Sequence, residues 1–223
     1  MIKKKEEFLK LLKKYRVRKK VLEAYEKVNQ EDFFDDILSS KFYTDQPIPI
    51  GKGHESDPPL SLGRMLHYLE PKKGWSVLEI GTGSGYSTAL LSEIVQEVYT
   101  IEFEEELARA AKERISRLGI NNVRLFAGDG FYLDSNLGNY DAIIIYAACH
   151  KRPLPLMDRL KEGGRMVFPM GPAYRQQITV VKNTEDEDGE SVFPTEFKEF
   201  CEFPPASGPF GLDINRYQLA DLD

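Results

Sequence analysis

Cysteine, histidine and tryptophan are scarce in this chain of 223 residues, at two, three and one. The cysteines, Cys149 and Cys201, form no CxxC pair, and His54, His67 and His150 are too scattered for metal-ligand spacing. Neither a disulfide nor a metal is expected. No apolar run approaches the roughly 18 residues of a bilayer span. The opening stretch MIKKKEEFLKLLKK lacks the uninterrupted apolar segment of a signal peptide. These absences predict a soluble, cytoplasmic protein with no membrane partner. Internal repeats and low-complexity linkers are missing as well. An apolar content of 41% over this length reads as one domain. Residues 1–60, N-terminal helices and an acid-bearing loop, are expected as an appendage to a core over 61–223 that ends in a C-terminal tail.

Charge is unevenly spread. Residues 1–20 hold ten Lys/Arg against two Glu, and the other 203 hold twenty basic against thirty-four acidic residues. A basic segment can track phosphates, but Phe8, Leu11, Leu12, Tyr15 and Leu22 recur at helical spacing, as in an amphipathic helix with a solvated face. With an acidic body behind it, no nucleic-acid partner is expected.

Beyond the first helices, β-rich runs alternate with helical patterns, the signature of an α/β fold with a doubly wound, mostly parallel sheet. SVLEI (76–80), EVYTIE (97–102), VRLFA (123–127), AIII (142–145) and RMVF (165–168) read as strands. A helix is expected over about 85–95. Another opens on Glu104, Glu105 and Glu106, lines Leu107, Ala111, Ile115 and Leu118 on one face, and closes at Gly119; its charges suit the helix dipole. QITVV and TEFKEF predict a late antiparallel strand pair around the acidic turn TEDEDGE. Phe210 and Tyr217 are expected to cover the sheet edge.

The strongest chemical signal is VLEIGTGSGY, a strand running into Gly81, Thr82, Gly83, Ser84 and Gly85 and then into a helix. Alternate glycines let the backbone turn sharply and approach a ligand at the carboxyl edge of the strand. The spacing is G-x-G-x-G, one residue tighter than the dinucleotide fingerprint. With Glu79 before it, the loop suits an amino-acid-bearing nucleoside, S-adenosyl-L-methionine, and the fold is a Rossmann-like methyltransferase fold. Glu102 ends the second strand, where a carboxylate can accept from ribose hydroxyls. Asp129, between Gly128 and Gly130 after the third strand, can accept from an adenine amino group. Each acid alone is a weak signal; in order, at successive strand ends, they support one another.

From about Phe42 to Phe203 the sequence resembles the protein-L-isoaspartate O-methyltransferases. YTDQPIPIGKG, LEIGTGSGY, VRLFAGDG, YDAIIIYAA, LKEGGRMVFPMG and Gln176 follow in that family's order. The resemblance implies methyl transfer from S-adenosylmethionine to the free α-carboxylate of isoaspartyl residues in damaged protein, a first step in repair, with a protein or peptide as substrate. The chain departs from the family at its substrate loop. Where the family reads Gly-Gln-Thr-Ile-Ser-x-Pro, Gly53 is followed by His54, Glu55, Ser56, Asp57, Pro58 and Pro59, so acids replace the hydroxyl residues.

A substrate carboxylate about 4 Å from a fixed one meets repulsion of about 4 kcal/mol at an effective dielectric near 20. Either these acids point away or the acceptor is not an anion. A carboxylate acceptor needs alignment and no base; an amine or hydroxyl must lose a proton, with His54, Glu55, Asp57 and His150 as candidate catalytic groups. Alternatively, Glu55 and Asp57 cap the helix that begins near Leu60. A non-catalytic S-adenosylmethionine-binding role also stays open. Cys149 is assigned to packing, because a sulfonium methyl needs no covalent nucleophile. His67 is assigned to structure. Nothing in the sequence sets the oligomeric state.

Overall fold

The computed structural model describes residues 2–132, 138–206 and 208–211. Two helices open the chain, α1 (Ile2–Lys14) and α2 (Lys19–Lys27), followed by two short 3-10 turns. A small hairpin, β1 (Pro49–Gly51) and β2 (His54–Glu55), leads into α3 (Pro59–Leu69). The alternating core comprises β3 (Ser76–Ile80), α4 (Tyr86–Ser92), β4 (Glu97–Glu102), α5 (Glu105–Arg117), β5 (Val123–Ala127), β6 (Tyr140–Ile145), α6 (Leu154–Met157) and β7 (Leu160–Met170). Then come β8 (Gln176–Lys182), a two-residue ladder of β9 (Thr184–Glu185) with β10 (Ser191–Val192), and β11 (Thr195–Cys201).

Seven strands form one sheet in the order β11-β8-β7-β6-β3-β4-β5. Its pairings are parallel from β5 across to β7, and β8 is antiparallel to both β7 and β11. The expected late antiparallel pair is thus present, with β7 as the strand that receives it. Chain order reverses at β3, whose neighbours are β4 and β6. In open α/β sheets the crevice beyond such a strand's carboxyl end binds ligands.

Alternation along the strands divides the core between two faces. Val77, Val98, Ile144 and Val167 share a cluster with α1 to α4; Leu78, Ile143, Met166 and Phe168 share the other with α6 and Phe210. The inner strands are buried on both sides, hence the apolar run 142–145 in β6. Phe8 and Leu12 anchor α1 in the first cluster, while Tyr15 is exposed despite its helical spacing. It lies one residue beyond the end of α1, before Arg16 takes a positive φ of 58°. Phe210 stacks on Phe131 with ring centroids 5.1 Å apart; Tyr217 lies outside the described residues. No described helix is long and apolar enough to cross a membrane.

Candidate active site

The loop after β3 is tied down by its own backbone. Gly81 N–H donates to the Ile101 carbonyl at 2.9 Å, and Gly85 N–H donates to the Thr82 carbonyl at 2.9 Å. Gly85 has φ +88° as the N-cap of α4, and a Cβ there would meet Ala111 and Ile115 at 3.5 Å. The left-handed turn is what calls for glycine here, since a Cβ would meet α5 only at ordinary contact distance. The Thr82 and Thr100 hydroxyls, 2.6 Å apart, pin the loop to β4.

Glu102, at the end of β4, is buried and holds the loop's shape. One carboxylate oxygen accepts from Gly83 N–H at 2.8 Å and the other from Glu104 N–H at 3.0 Å. Each oxygen keeps a further lone pair for a hydroxyl donor. After β5, Asp129 Oδ1 accepts from Phe131 N–H at 2.9 Å, which fixes the carboxyl's direction. A Cβ on the next residue, Gly130, would come within 2.7 Å of Ile80, so the chain closes onto β3 only with glycine there.

One pocket brings these parts together at the carboxyl edge of the sheet. Gly81, Thr82, Gly83 and Ser84 line one side, Glu102 another, and Gly128, Asp129 and Gly130 a third; His54, Glu55 and Asp57 stand at its remaining wall. Two predicted binding residues lie outside the lining. Gly85 acts through backbone geometry. Glu79 is fully buried and accepts from the Thr88 hydroxyl, its other oxygen having no hydrogen-bond partner among the described residues. Burial pushes its carboxyl up to about 7, although hydroxyls from Thr100, Thr88 and Ser87 pull the other way.

Sequence reasoning left several lining residues unassigned. Phe103 is an exposed aromatic directly after Glu102, Tyr146 follows β6, and Pro204 and Pro205 come from the C-terminal segment. Phe103 had a signal in its place next to a strand-ending acid. Pro204 had none, because a long-range tie positions it. Buried Gln176 accepts from Phe203 N–H at 2.8 Å and donates to the Phe203 carbonyl at 3.1 Å, while Ala148 N–H donates to the Pro204 carbonyl at 2.7 Å.

The acid-bearing loop enters through the β1–β2 hairpin, and Ser56 fixes its exit: Ser56 N–H donates to the Ile48 carbonyl at 2.8 Å, and Ser56 Oγ accepts from Ile48 N–H at 3.1 Å. Glu55 is exposed at the mouth. His54 Nε2 lies 4.0 Å from Glu104 Oε1, at the limit of an ion pair. Asp57 is half-buried, and desolvation pushes its carboxyl up to about 8.

The capping expectation for Glu55 and Asp57 is corrected. The N-cap of α3 is Pro58, with no side-chain bond of its own, and Leu60 N–H donates to Asp45 Oδ1 at 3.0 Å. Asp45 reaches the helix across the hairpin, which frees the two loop acids to face the pocket. Asp45→Ala is expected to lower stability by about 1 kcal/mol, read from the urea midpoint, with little change in cofactor affinity.

His150 falls outside the pocket lining. It is exposed, and its main-chain N–H and ring Nδ1 each lie 3.1 Å from the Phe210 carbonyl. It holds the C-terminal segment. His150→Ala is expected to keep kcat within about threefold of wild type, whereas loss of a general base costs about 10²- to 10⁴-fold. Cys149 is buried beside it, and burial pushes its thiol up to about 12, so it carries its proton at neutral pH.

The model of the family protein-L-isoaspartate(D-aspartate) O-methyltransferase matches residues 3–202. The chain belongs to this family. A protein-L-isoaspartate O-methyltransferase from Petrotoga mobilis is 44% identical over 86% of this chain and 89% of its own length. One from Fervidobacterium nodosum is 39% identical over 78% and 88%. Among solved structures, a protein-L-isoaspartate O-methyltransferase aligns over 96% of this chain and 69% of its own, with a TM-score of 0.81 at 27% identity. A Plasmodium falciparum structure described as a beta-aspartate methyltransferase in complex with S-adenosyl-L-homocysteine has a TM-score of 0.72 at 22% identity, over 89% of this chain and 96% of its own, a likeness of fold.

As a member of the isoaspartate methyltransferase family, the chain is an S-adenosylmethionine-dependent methyltransferase. Its pocket suits that cofactor: Gly81 and Gly83 have positive φ of 95° and 54° and bring bare backbone to the wall, with carboxylates at two strand ends beyond them.

Proposed function

We propose that this protein transfers a methyl group from S-adenosylmethionine to the α-carboxylate of isoaspartyl residues in damaged proteins. The observation that carries the reading is the arrangement of one pocket, whose glycine loop, Glu102 and Asp129 face the acceptor loop of residues 54–57. The relatives' activity supports it.

When bound, the cofactor supplies a methyl group activated by a positively charged sulfur. Glu102 is the residue we assign to its ribose hydroxyls, Asp129 to its adenine amino group, and the backbone of 81–85 to its amino-acid end, with Thr82 and Ser84 keeping that backbone in place. The acceptor α-carboxyl, with an ordinary pKa of about 3.5, is already ionised and nucleophilic at neutral pH. The residues around it therefore need to align it and exclude water, and proximity and orientation supply most of the acceleration. The Tyr146 and Pro204 wall contributes the exclusion. Glu79 stiffens the loop from beneath through Thr88.

We place the reaction in the cytoplasm on a protein or peptide acceptor, without a nucleic-acid partner, and keep residues 1–60 as an appendage that completes a single domain. One observation favours a second reading, an amine or hydroxyl acceptor with Glu55 or His54 as base: the described lining holds no Lys or Arg. Methyl-labelled S-adenosylmethionine, offered with an N-acetylated isoaspartyl peptide and its normal aspartyl isomer, separates the two. Alkali-labile label confined to the isoaspartyl peptide supports ester formation. Absence of that label, with alkali-stable label on an amine instead, would overturn it.

A further inference from the structure

The described pocket lining contains five carboxylates, Glu55, Asp57, Glu102, Glu104 and Asp129, with His54 as its only basic side chain. Lys52, on the neighbouring hairpin, is engaged by Glu106 at 2.6 Å. An anionic acceptor entering this pocket must find hydrogen-bond donors in place of a positive charge. Several groups in the lining have capacity to spare, among them the Tyr86 and Tyr146 hydroxyls and the Asp57 carboxyl. The Tyr146 hydroxyl is buried without a hydrogen-bond partner among the described residues, in a residue only 5% exposed. Asp57 makes no hydrogen bond or ion pair with the described residues, and it lines the same pocket as Tyr146.

We propose that Asp57 acts as a neutral carboxylic acid that donates a hydrogen bond to the carboxylate of the isoaspartyl acceptor, with the Tyr146 hydroxyl as companion donor, and so ties admission of an anion to pH. This rests on the proposed isoaspartyl acceptor. The titratable groups that line the pocket with Asp57 are Glu55 and His54 on its own segment, Tyr86 on α4, Glu102 and Glu104 after β4, Asp129 after β5 and Tyr146 after β6. Among them only His54 can carry positive charge, so the pocket offers an ionised Asp57 little compensation. Desolvation is what raises its carboxyl, to about 8. The arriving carboxylate adds a like charge and reinforces proton retention, and an O–H···O⁻ bond is among the stronger hydrogen bonds available. Once ionised, Asp57 repels the same acceptor. Asp57 thereby separates acceptors by charge state, a specificity role distinct from proton abstraction.

The test is steady-state kinetics on an N-acetylated isoaspartyl peptide at saturating S-adenosylmethionine, from about pH 6 to 9.5, with the acetyl group removing the amine that would titrate near 8. For wild type, peptide KM is expected to rise toward about tenfold per pH unit above 8 while kcat changes less. Asp57→Asn and Asp57→Ser keep a donor that does not titrate, so their KM profiles should be flat across that range. Asp57→Ala should raise KM by about 10- to 100-fold at pH 7. Tyr146→Phe should raise it by a smaller factor at every pH. The KM for S-adenosylmethionine, followed in parallel, checks that each variant keeps a folded cofactor site. Wild-type turnover with Asp57→Asn or Asp57→Ser reproducing the wild-type pH profile would overturn the Asp57 role and leave the isoaspartyl reading standing. No wild-type turnover at any pH, with cofactor binding intact, would remove both.

Discussion

Leu12→Ala is expected to lower the unfolding free energy by about 2–5 kcal/mol, the range for deleting a buried leucine side chain. Leu12 is completely buried, and its Cδ2 lies 3.1 Å from where a Cβ on Gly63 would stand, so α1 and α3 pack with almost no slack. Phe8, Val17 and Tyr25 share the cluster, and the Tyr25 hydroxyl donates to the Pro59 carbonyl at 2.7 Å inside it. A void there cannot close by moving a flexible surface group. Since a whole domain is stable by only about 5–15 kcal/mol, the loss is a large share of the total. Lys13→Ala, on the solvated face, should stay within about 0.5 kcal/mol. A urea midpoint unchanged by Leu12→Ala would show that the basic helix contributes nothing to the core.

Glu102→Ala is expected to weaken S-adenosylmethionine binding by about 1–3 kcal/mol, or roughly 5- to 150-fold, read by calorimetry. The residue does two things at once. It is the carboxylate assigned to the ribose, and it satisfies the Gly83 and Glu104 N–H groups, so its removal also loosens the loop. Glu102→Gln is expected to fall short of wild type too. An amide offers one oxygen where two peptide N–H groups need acceptors, and turns its NH₂ toward one of them. Unchanged affinity in both variants would remove Glu102 from the cofactor site, and equal binding of NADH would reopen a dinucleotide reading.

Much of this architecture is legible in the chain because it is local. The buried strands announce themselves as short β-branched runs, and α5 by its acidic first turn, basic last turn and Gly119, which has φ +68°. The glycine loop is legible because positive φ at alternate residues demands glycine. Contributions across distance in sequence are not. Asp45 caps α3 from outside the helix's own flank, so the local preference of acids for an N-terminus pointed to Glu55 and Asp57 instead. His150 stood at the correct sheet edge, yet the Phe210 carbonyl turns it away from the pocket. Tyr146 reads as one more apolar residue just after β6; its place in the pocket wall and its buried hydroxyl, unpartnered among the described residues, emerge only in the fold.

The cluster that holds Phe8 and Leu12 also contains Tyr86, Ile144 and Val180. On a ribosome adding about 5–20 residues per second, roughly 10–30 s separate the emergence of Leu12 from that of the last strands completing its surroundings. Throughout that interval the first helix must travel on the nascent chain with its apolar stripe unburied. Its lysine-rich opposite face then has a task that ends when folding does: keeping an unfinished polypeptide in solution until the sheet arrives to cover it.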